Sequence, residues 1–402
     1  MNVLYLTYDG LTDNLGQSQI LPYVFYLQKN GHQIHIISCE KTINFKLRYT
    51  TIKQLLADNN VQHTPLFYTK RPPVLSTVID ILKLLHTAKK LHQQHSFDVV
   101  HCRSYIPALV GLYMKRKYGV KFIFDMRGFW PDERVDGNLW NLKNPLYKIV
   151  YRFFKRKEKQ VIQESNAIVS LTNAGLQEMQ RWNYTPNIAS KTTIIPCCAD
   201  FNTFTITPYN TALAEQLNIQ PHNKVLCYLG SLGTWYMLEE MLDFFTQLKQ
   251  HDSSYLFLII TTDDATIVKE GCANKNIALE NIRVTKANRN EITNYLSLVN
   301  LGISFIKPAY SKLSSSPTKM AEMYACGIPL VCNEGVGDVA LINSQYPLGV
   351  MVSELSTVEY TVAIAALQPL LTLPKQAIRT KAQTLLSLDI AGQAYVNMYA
   401  QL

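Results

Sequence analysis

The chain has 402 residues, 47% hydrophobic and 17% charged, a balance that excludes a disordered protein. At roughly 100–200 residues per domain, this length predicts two or three domains. The formal charge of +9 is uneven: residues 1–200 hold 26 basic and 14 acidic side chains (+12), and residues 201–402 hold 13 and 16 (−3). A basic half beside a near-neutral one points to an anionic partner, whether nucleic acid, membrane surface or phosphorylated substrate.

Met1 to Thr7 reads as a strand, and Asp9 arrives too early for the apolar region of a secretory leader. No stretch approaches the roughly 18 apolar residues of a spanning helix. Further strands are predicted at Gln33–Ser38, Val99–Cys102, Lys121–Asp125, Ala167–Leu171 and Thr193–Ile195. In the second half they are predicted at Val225–Leu229, Tyr255–Thr261, Ile282–Thr285, Leu301–Phe305 and Pro329–Cys332. Helical patterns lie between them, at Ile20–Asn30, Ser76–His92, Leu238–Lys249 and Thr318–Ala325. Such alternation predicts parallel sheets covered on both faces, and the pattern restarts after residues 196–221. The expected organisation is α/β: a Rossmann-like doubly wound domain over 1–200, a second over 201–384, and a helix over 385–402 returning to the first. Two such domains would face each other across a cleft lined by the carboxyl ends of their strands.

The eight cysteines include no C-x-x-C pair and no zinc spacing, so a reducing, cytoplasmic setting and no structural metal are expected. After the first strand, Gly16 and Ser18 near a helix start could bring backbone N–H groups to an anion; an ordinary turn with Gln17 or Ser18 near a cap is the alternative. Glu40, after the second strand, is only a loose candidate for a ribose contact. The loop Gly230-Ser231-Leu232-Gly233-Thr234-Trp235-Tyr236 follows a strand and precedes a helix, as a phosphate loop or a structural turn would. Asp263-Asp264 lacks a third nearby carboxylate and reads as a solvated loop. The sharpest segment runs from Ser314 to Pro329, with Ser316 expected as N-cap and Pro317 as first helical residue. Lys319 opposes the helix dipole there, a conflict that a bound diphosphate would relieve, and Glu322 one turn on suits ribose hydroxyls.

These segments, with Val99–Ser104, Phe124–Glu133, Ile195–Asp200 and Gly335–Asp338, together resemble the family-4 retaining glycosyltransferases of the GT-B fold, most nearly those of bacterial surface-polysaccharide assembly. The resemblance implies a hexosyltransferase-like activity: transfer of a sugar from a nucleotide-sugar donor to an acceptor hydroxyl with retention. It implies no metal and no cofactor, the departing diphosphate being neutralised by N–H groups, helix dipoles and basic side chains. It places the Gly16 loop, with Gln17, over the donor, His101 on the donor sugar and Glu322 on the ribose. Two departures stand out. Ser314 occupies the place of a glutamate eight positions before Glu322, and Thr234-Trp235-Tyr236 replaces an Arg/Lys pair beyond the glycine loop. Lys319 and Lys307, then Arg103 or Arg127, are the expected compensating cations, with Thr318 in the same first turn. Asp125, Arg127, Asp132 and Glu133 form either a structural ion network or a polar floor for the acceptor.

The basic half has a focus at residues 148–159, where Lys155, Arg156 and Lys157 lie among Tyr151, Phe153 and Phe154. Peripheral attachment to an anionic membrane fits this pattern, and a polyprenyl-diphosphate-linked glycan acceptor would match it. A nucleotide-sugar 2-epimerase on the same fold is the alternative enzyme. Nucleic-acid binding is not expected, because no recognition module is present.

Overall fold

The structure is a computed structural model that describes residues 1–69, 71–72 and 74–402. The chain divides into two compact units. The first comprises Met1–Pro196, Leu313–Ser315 and Leu388–Leu402, and the second Cys197–Lys312 and Ser316–Ser387. The division falls at Pro196/Cys197, four residues before the expected boundary, and a tripeptide from the second half belongs to the first unit.

The first unit is built on seven parallel strands: β1 (Asn2–Thr7), β2 (Gln33–Glu40), β3 (Gln62–Phe67), β4 (Val99–Arg103), β5 (Lys121–Asp125), β6 (Ala167–Ser170) and β7 (Thr192–Ile194). Their order is β3-β2-β1-β4-β5-β6-β7, so the direction of winding reverses between β1 and β4. Side-chain alternation assigns the two faces. Leu4, Leu6, Val100, Cys102, Phe122 and Phe124 enter one apolar cluster. Tyr5, His101 and Ile123, in register with one another, point to the opposite face. Helices Leu21–Lys29 and Leu388–Ala400 cover that face. They pack closely enough that a Cβ on Gly392 would lie 2.4 Å from the Tyr26 ring.

The second unit has six parallel strands: β8 (Lys224–Leu229), β9 (Tyr255–Ile260), β10 (Ile282–Thr285), β11 (Leu301–Ser304), β12 (Leu330–Asn333) and β13 (Gly349–Val352). The order β10-β9-β8-β11-β12-β13 reverses between β8 and β11. Val225, Cys227 and Leu229 pack into one cluster while Leu226 and Tyr228 pack into another, so both faces of β8 are buried. This is the two-sided burial that near-continuous apolar strands require.

Two strands, β3 and β13, are not among those predicted from the sequence. β3 is an edge strand that includes Pro65, a residue sheets tolerate at their edges, and most of its side chains are half-exposed. β13 is the other unit's edge strand and only four residues long. All eight cysteines are buried, and none forms a disulfide among the described residues. No helix among those residues is long and apolar enough to cross a membrane.

Candidate functional site

In the second unit the chemistry-bearing residues converge on the carboxyl ends of β8, β11 and β12, beside the winding reversal where open α/β sheets bind ligands. The loop after β8 is tightly constrained. Gly233 lies at φ 79° with open space around its missing Cβ, so backbone conformation alone requires the glycine there. Thr234 follows at φ 49°, a left-handed conformation that a β-branched residue seldom adopts. Asp263 accepts the Leu232 N–H, which corrects the reading of Asp263-Asp264 as a solvated loop. Asp264 caps the next helix by accepting the Thr266 N–H at 3.0 Å. Gly230, Ser231 and Gly233 therefore sit in a loop pinned at its base by a carboxylate. Lys307 is exposed, and its N–H donates to the Trp235 carbonyl at 2.8 Å.

Helix Thr318–Ala325 has the bounds that its apolar pattern predicts, but Pro317 is not its first residue. Pro317 is extended (φ −70°, ψ 111°), so it is the cap residue and Thr318 opens the helix. Ser316 is not the N-cap: its hydroxyl accepts the Cys197 N–H at 3.0 Å and fastens the start of this unit. Lys319 Nζ donates to Glu322 Oε2 at 2.8 Å, and Arg289 Nη1 donates to Glu322 Oε1 at 3.2 Å. Glu322 is 1% exposed, held by one cation from its own helix and one from the loop after β10. Arg289 escaped the sequence reading because its partner lies 33 residues away. Lys312 escaped it as well: it is 6% exposed, and its ammonium lies 3.7 Å from the Trp235 ring centroid.

In the first unit, helix Asn14–Gln19 opens the carboxyl rim. Gly16 lies inside this helix, where a Cβ would meet the Gly10 carbonyl oxygen at 2.2 Å. The glycine is thus a contact point between helix and loop. Gln17 donates to the Thr12 carbonyl at 3.3 Å. Glu40 is fully buried, accepts the Leu11 N–H at 2.7 Å and bonds the Thr12 and Ser38 hydroxyls. Its role is to hold that loop rather than to offer a free carboxylate.

His101 is 1% exposed, since strand alternation turns it onto the helix-covered face. Its Nδ1 lies 2.7 Å from the Tyr399 hydroxyl and its Nε2 3.7 Å from Asp125. Burial lowers its pKa against the opposing pull of Asp125. Arg103 is also buried, 3.4 Å from Asp9 and 3.6 Å from Asp125. Arg127, at φ 55°, lies 3.9 Å from Asp125 and donates to Gln19 at 3.3 Å. Burial pushes the Asp125 carboxyl up, but Arg127, His101 and Arg103 outweigh it and hold the group below its ordinary range. Of the two readings kept open for this set, the geometry of Asp125 and Arg127 is that of an ion network.

Asp132 is 6% exposed and accepts from Tyr151 at 2.8 Å and Lys155 at 3.0 Å. Glu133 is half-buried in the first turn of helix Trp130–Asp136. Lys155 also contacts Glu158 at 2.6 Å and lies over the Trp182 ring, so it is removed from any membrane-facing surface. Arg156 is exposed, and Lys157 is half-buried with its ammonium 3.1 Å from Gln160. Among the described residues, no group of three or more His, Cys, Asp or Glu is arranged to hold a metal ion.

Residues 23–203 match the family model Glycosyltransferase Family 4. Solved structures match over the whole chain. HepE from Anabaena, in complex with UDP and glucose, covers 100% of both chains at a TM-score of 0.71 and 14% identity. The lipopolysaccharide outer core galactosyltransferase WaaB, in apo form, likewise covers 100% of both, at 0.68 and 10%. A Listeria monocytogenes structure assigned as a UDP-N-acetylglucosamine 2-epimerase covers 98% of this chain and 94% of its own, at 0.56 and 11%. No curated protein matches the sequence significantly. The fold is GT-B, with two Rossmann-like units. Within that fold, the segment 23–203 is the part similar to Glycosyltransferase Family 4.

Proposed function

We propose that the protein is a retaining glycosyltransferase that uses a nucleotide-sugar donor bound at the carboxyl rim of the second unit. The observation that supports this most is the Arg289–Glu322–Lys319 cluster at the start of a helix beside the winding reversal. Glu322 suits ribose hydroxyls, while Lys319, Lys307 and the first-turn N–H groups at Thr318 suit a diphosphate. In this reading the glycosidic carbon–oxygen bond to the diphosphate breaks, and its electron pair leaves on the phosphate oxygen. The acceptor hydroxyl oxygen bonds to the same carbon on the face the diphosphate vacates, and its proton departs with the diphosphate. Placed cations and N–H groups stabilise the leaving charge, so turnover survives a chelator. HepE binds UDP and glucose, which makes a UDP-hexose the first donor to try.

The acceptor in this proposal is a glycan on a polyprenyl diphosphate, met at a membrane surface. With Lys155 withdrawn, the surface consists of Leu146 (49% exposed), Ile149 (65%) and Phe153 (44%) at helical spacing, flanked by exposed Lys148, Arg152 and Arg156. A second exposed pair, Ile43 and Leu47, lies between Lys41, Lys46 and Arg48 on helix Thr42–Asp58. That helix starts two residues after β2, at the carboxyl rim. Helix Pro145–Glu164 ends three residues before β6, so its first turns, carrying Leu146 and Ile149, lie toward the same rim. Apolar residues amid cations suit the interface of an anionic bilayer.

A thermal-shift screen of UDP-, GDP-, ADP- and dTDP-sugars tests the donor reading. One of them raises Tm by mass action, and failure of all four defeats it. The 2-epimerase reading, favoured only by the Listeria structure, predicts epimer formation from a UDP-sugar without acceptor, whereas a transferase leaves the sugar's configuration unchanged.

A further inference from the structure

Two arginines fasten one segment of the second unit to one helix. The segment 199–204 runs beside helix Lys375–Leu386: the Ala199 N–H donates to the Leu386 carbonyl at 2.9 Å, and Phe201 and Phe204 are buried. From that helix Arg379 donates to the Phe201 carbonyl at 2.5 Å, to the Phe204 carbonyl at 2.6 Å and to the Ala325 carbonyl. Ala325 ends helix Thr318–Ala325, where carbonyls lack partners within the helix and a cation is favoured. The second arginine is Arg289. Its guanidinium carbon lies 5.2 Å from the centroid of the Phe204 ring, and its Nη1 donates to Glu322 Oε1 at 3.2 Å. Glu322 and Ala325 are three residues apart, neighbours on one face of the helix. One phenylalanine is thus held by Arg379 through its carbonyl and carries Arg289 on its ring, and both arginines end on the same helix.

We propose that Phe204 is a positioning residue for nucleotide binding: its ring seats the Arg289 guanidinium, which holds the Glu322 carboxylate in one orientation before the nucleotide arrives. The inference rests on the reading of the Glu322 cluster given above and adds the residue that orders it. Arg289 belongs to a loop, residues 286–291, in which the Asn288 N–H and side chain both donate to Glu291, a neighbour three positions on. Such local bonds shape the loop without fixing where a long side chain points. An arginine has many rotamers, and an ordered guanidinium spares binding the entropy of freezing them. A flat aromatic face supplies that order, because a guanidinium stacks on it and keeps its N–H groups free at the edge for a carboxylate. Phe204 is fully buried and its carbonyl is held by Arg379, so the seat is part of the core rather than of the loop.

The test is a double-variant cycle, read by calorimetric titration of UDP, GDP, ADP and dTDP into wild type, Phe204→Leu, Arg289→Ala and the protein carrying both changes. Leucine keeps an apolar side chain in the buried site and removes the ring face. Phe204→Leu should weaken the best nucleotide by about threefold or more when Arg289 is present, and by less than about 1.5-fold when it is already alanine, because the ring acts through the guanidinium. An equal loss in both backgrounds makes Phe204 a packing residue only and overturns the inference, as does no loss in either. Phe204→Met also lacks a ring and decides in the same way if Phe204→Leu fails to fold. The underlying reading fails by different results: wild type binds none of the four nucleotides, or Arg289→Ala and Glu322→Gln both bind as wild type does.

Discussion

The Ser314 hydroxyl accepts the Phe129 N–H at 2.8 Å, joining two residues 185 positions apart within the first unit. Ser314 is 2% exposed, and a Cβ on Gly175 would lie 3.0 Å from its own Cβ. At this position the resembled family carries an acid, and here the space is closed. Ser314→Glu should therefore lower stability by about 3 kcal/mol or more, whereas Ser314→Ala, which removes the hydroxyl acceptor of the Phe129 N–H, should cost about 1–2 kcal/mol. Urea unfolding reads both; a Ser314→Glu protein as stable as wild type would falsify the packing role.

Glu322 is the member of the second-unit cluster whose loss should matter most. Glu322→Gln keeps its shape but leaves Arg289 and Lys319 without their shared carboxylate. Affinity for the best nucleotide should fall on the order of tenfold, about 1.4 kcal/mol, with the fold retained by circular dichroism. Arg289→Ala should weaken the same nucleotide in the same direction. Unchanged affinity in both variants removes the cluster from the binding site.

The basic helix Pro145–Glu164 separates into structural and surface residues. Lys155→Met strands Asp132 and Glu158 and should destabilise the first unit by roughly 3–5 kcal/mol. Ile149→Asp with Phe153→Asp alters only exposed positions and should preserve Tm while abolishing flotation with anionic liposomes. Full flotation by the double variant rejects the membrane surface.

Much of this was legible in the sequence because strands buried on both faces read as continuous apolar runs. Strand Lys121–Asp125 and helix Thr318–Ala325 lie where the pattern placed them. What could not be read was direction. His101 stands at the end of a strand, yet whether it faces solvent or the helix layer depends on a register shared with Tyr5 and Ile123. The segment around Lys155 shows six cations, and only three-dimensional packing tells which of them meets Asp132. Arg289 and Lys312 were invisible for a related reason: their partners lie on other loops, and no local spacing connects them.

Stability should depend on pH through two histidines of adjacent strands. Burial, aided by His95, lowers His35 to about 4, and burial, aided by His35, lowers His63 to about 3. The unfolded chain takes up protons first as pH falls, so stability is full above about 6.5 and declines toward pH 4. Between pH 7 and 5 the loss should be roughly 2 kcal/mol for His63, with a further loss from His35. Denaturant titrations at the two pH values check this, and His63→Gln should flatten the difference.

The tripeptide Leu313–Ser315 bears on how the gene can be divided. Residues 1–196 alone would lack the Ser314 oxygen for Phe129, the Leu313 carbonyl for the Thr172 hydroxyl and the Tyr399 hydroxyl beside His101. The first unit is thus not a contiguous stretch of coding sequence but a mosaic of three. Chimaeras that trade halves at the midpoint would transplant an incomplete core. Exchange between chains of this architecture must carry the tripeptide and the last fifteen residues along with the first 196.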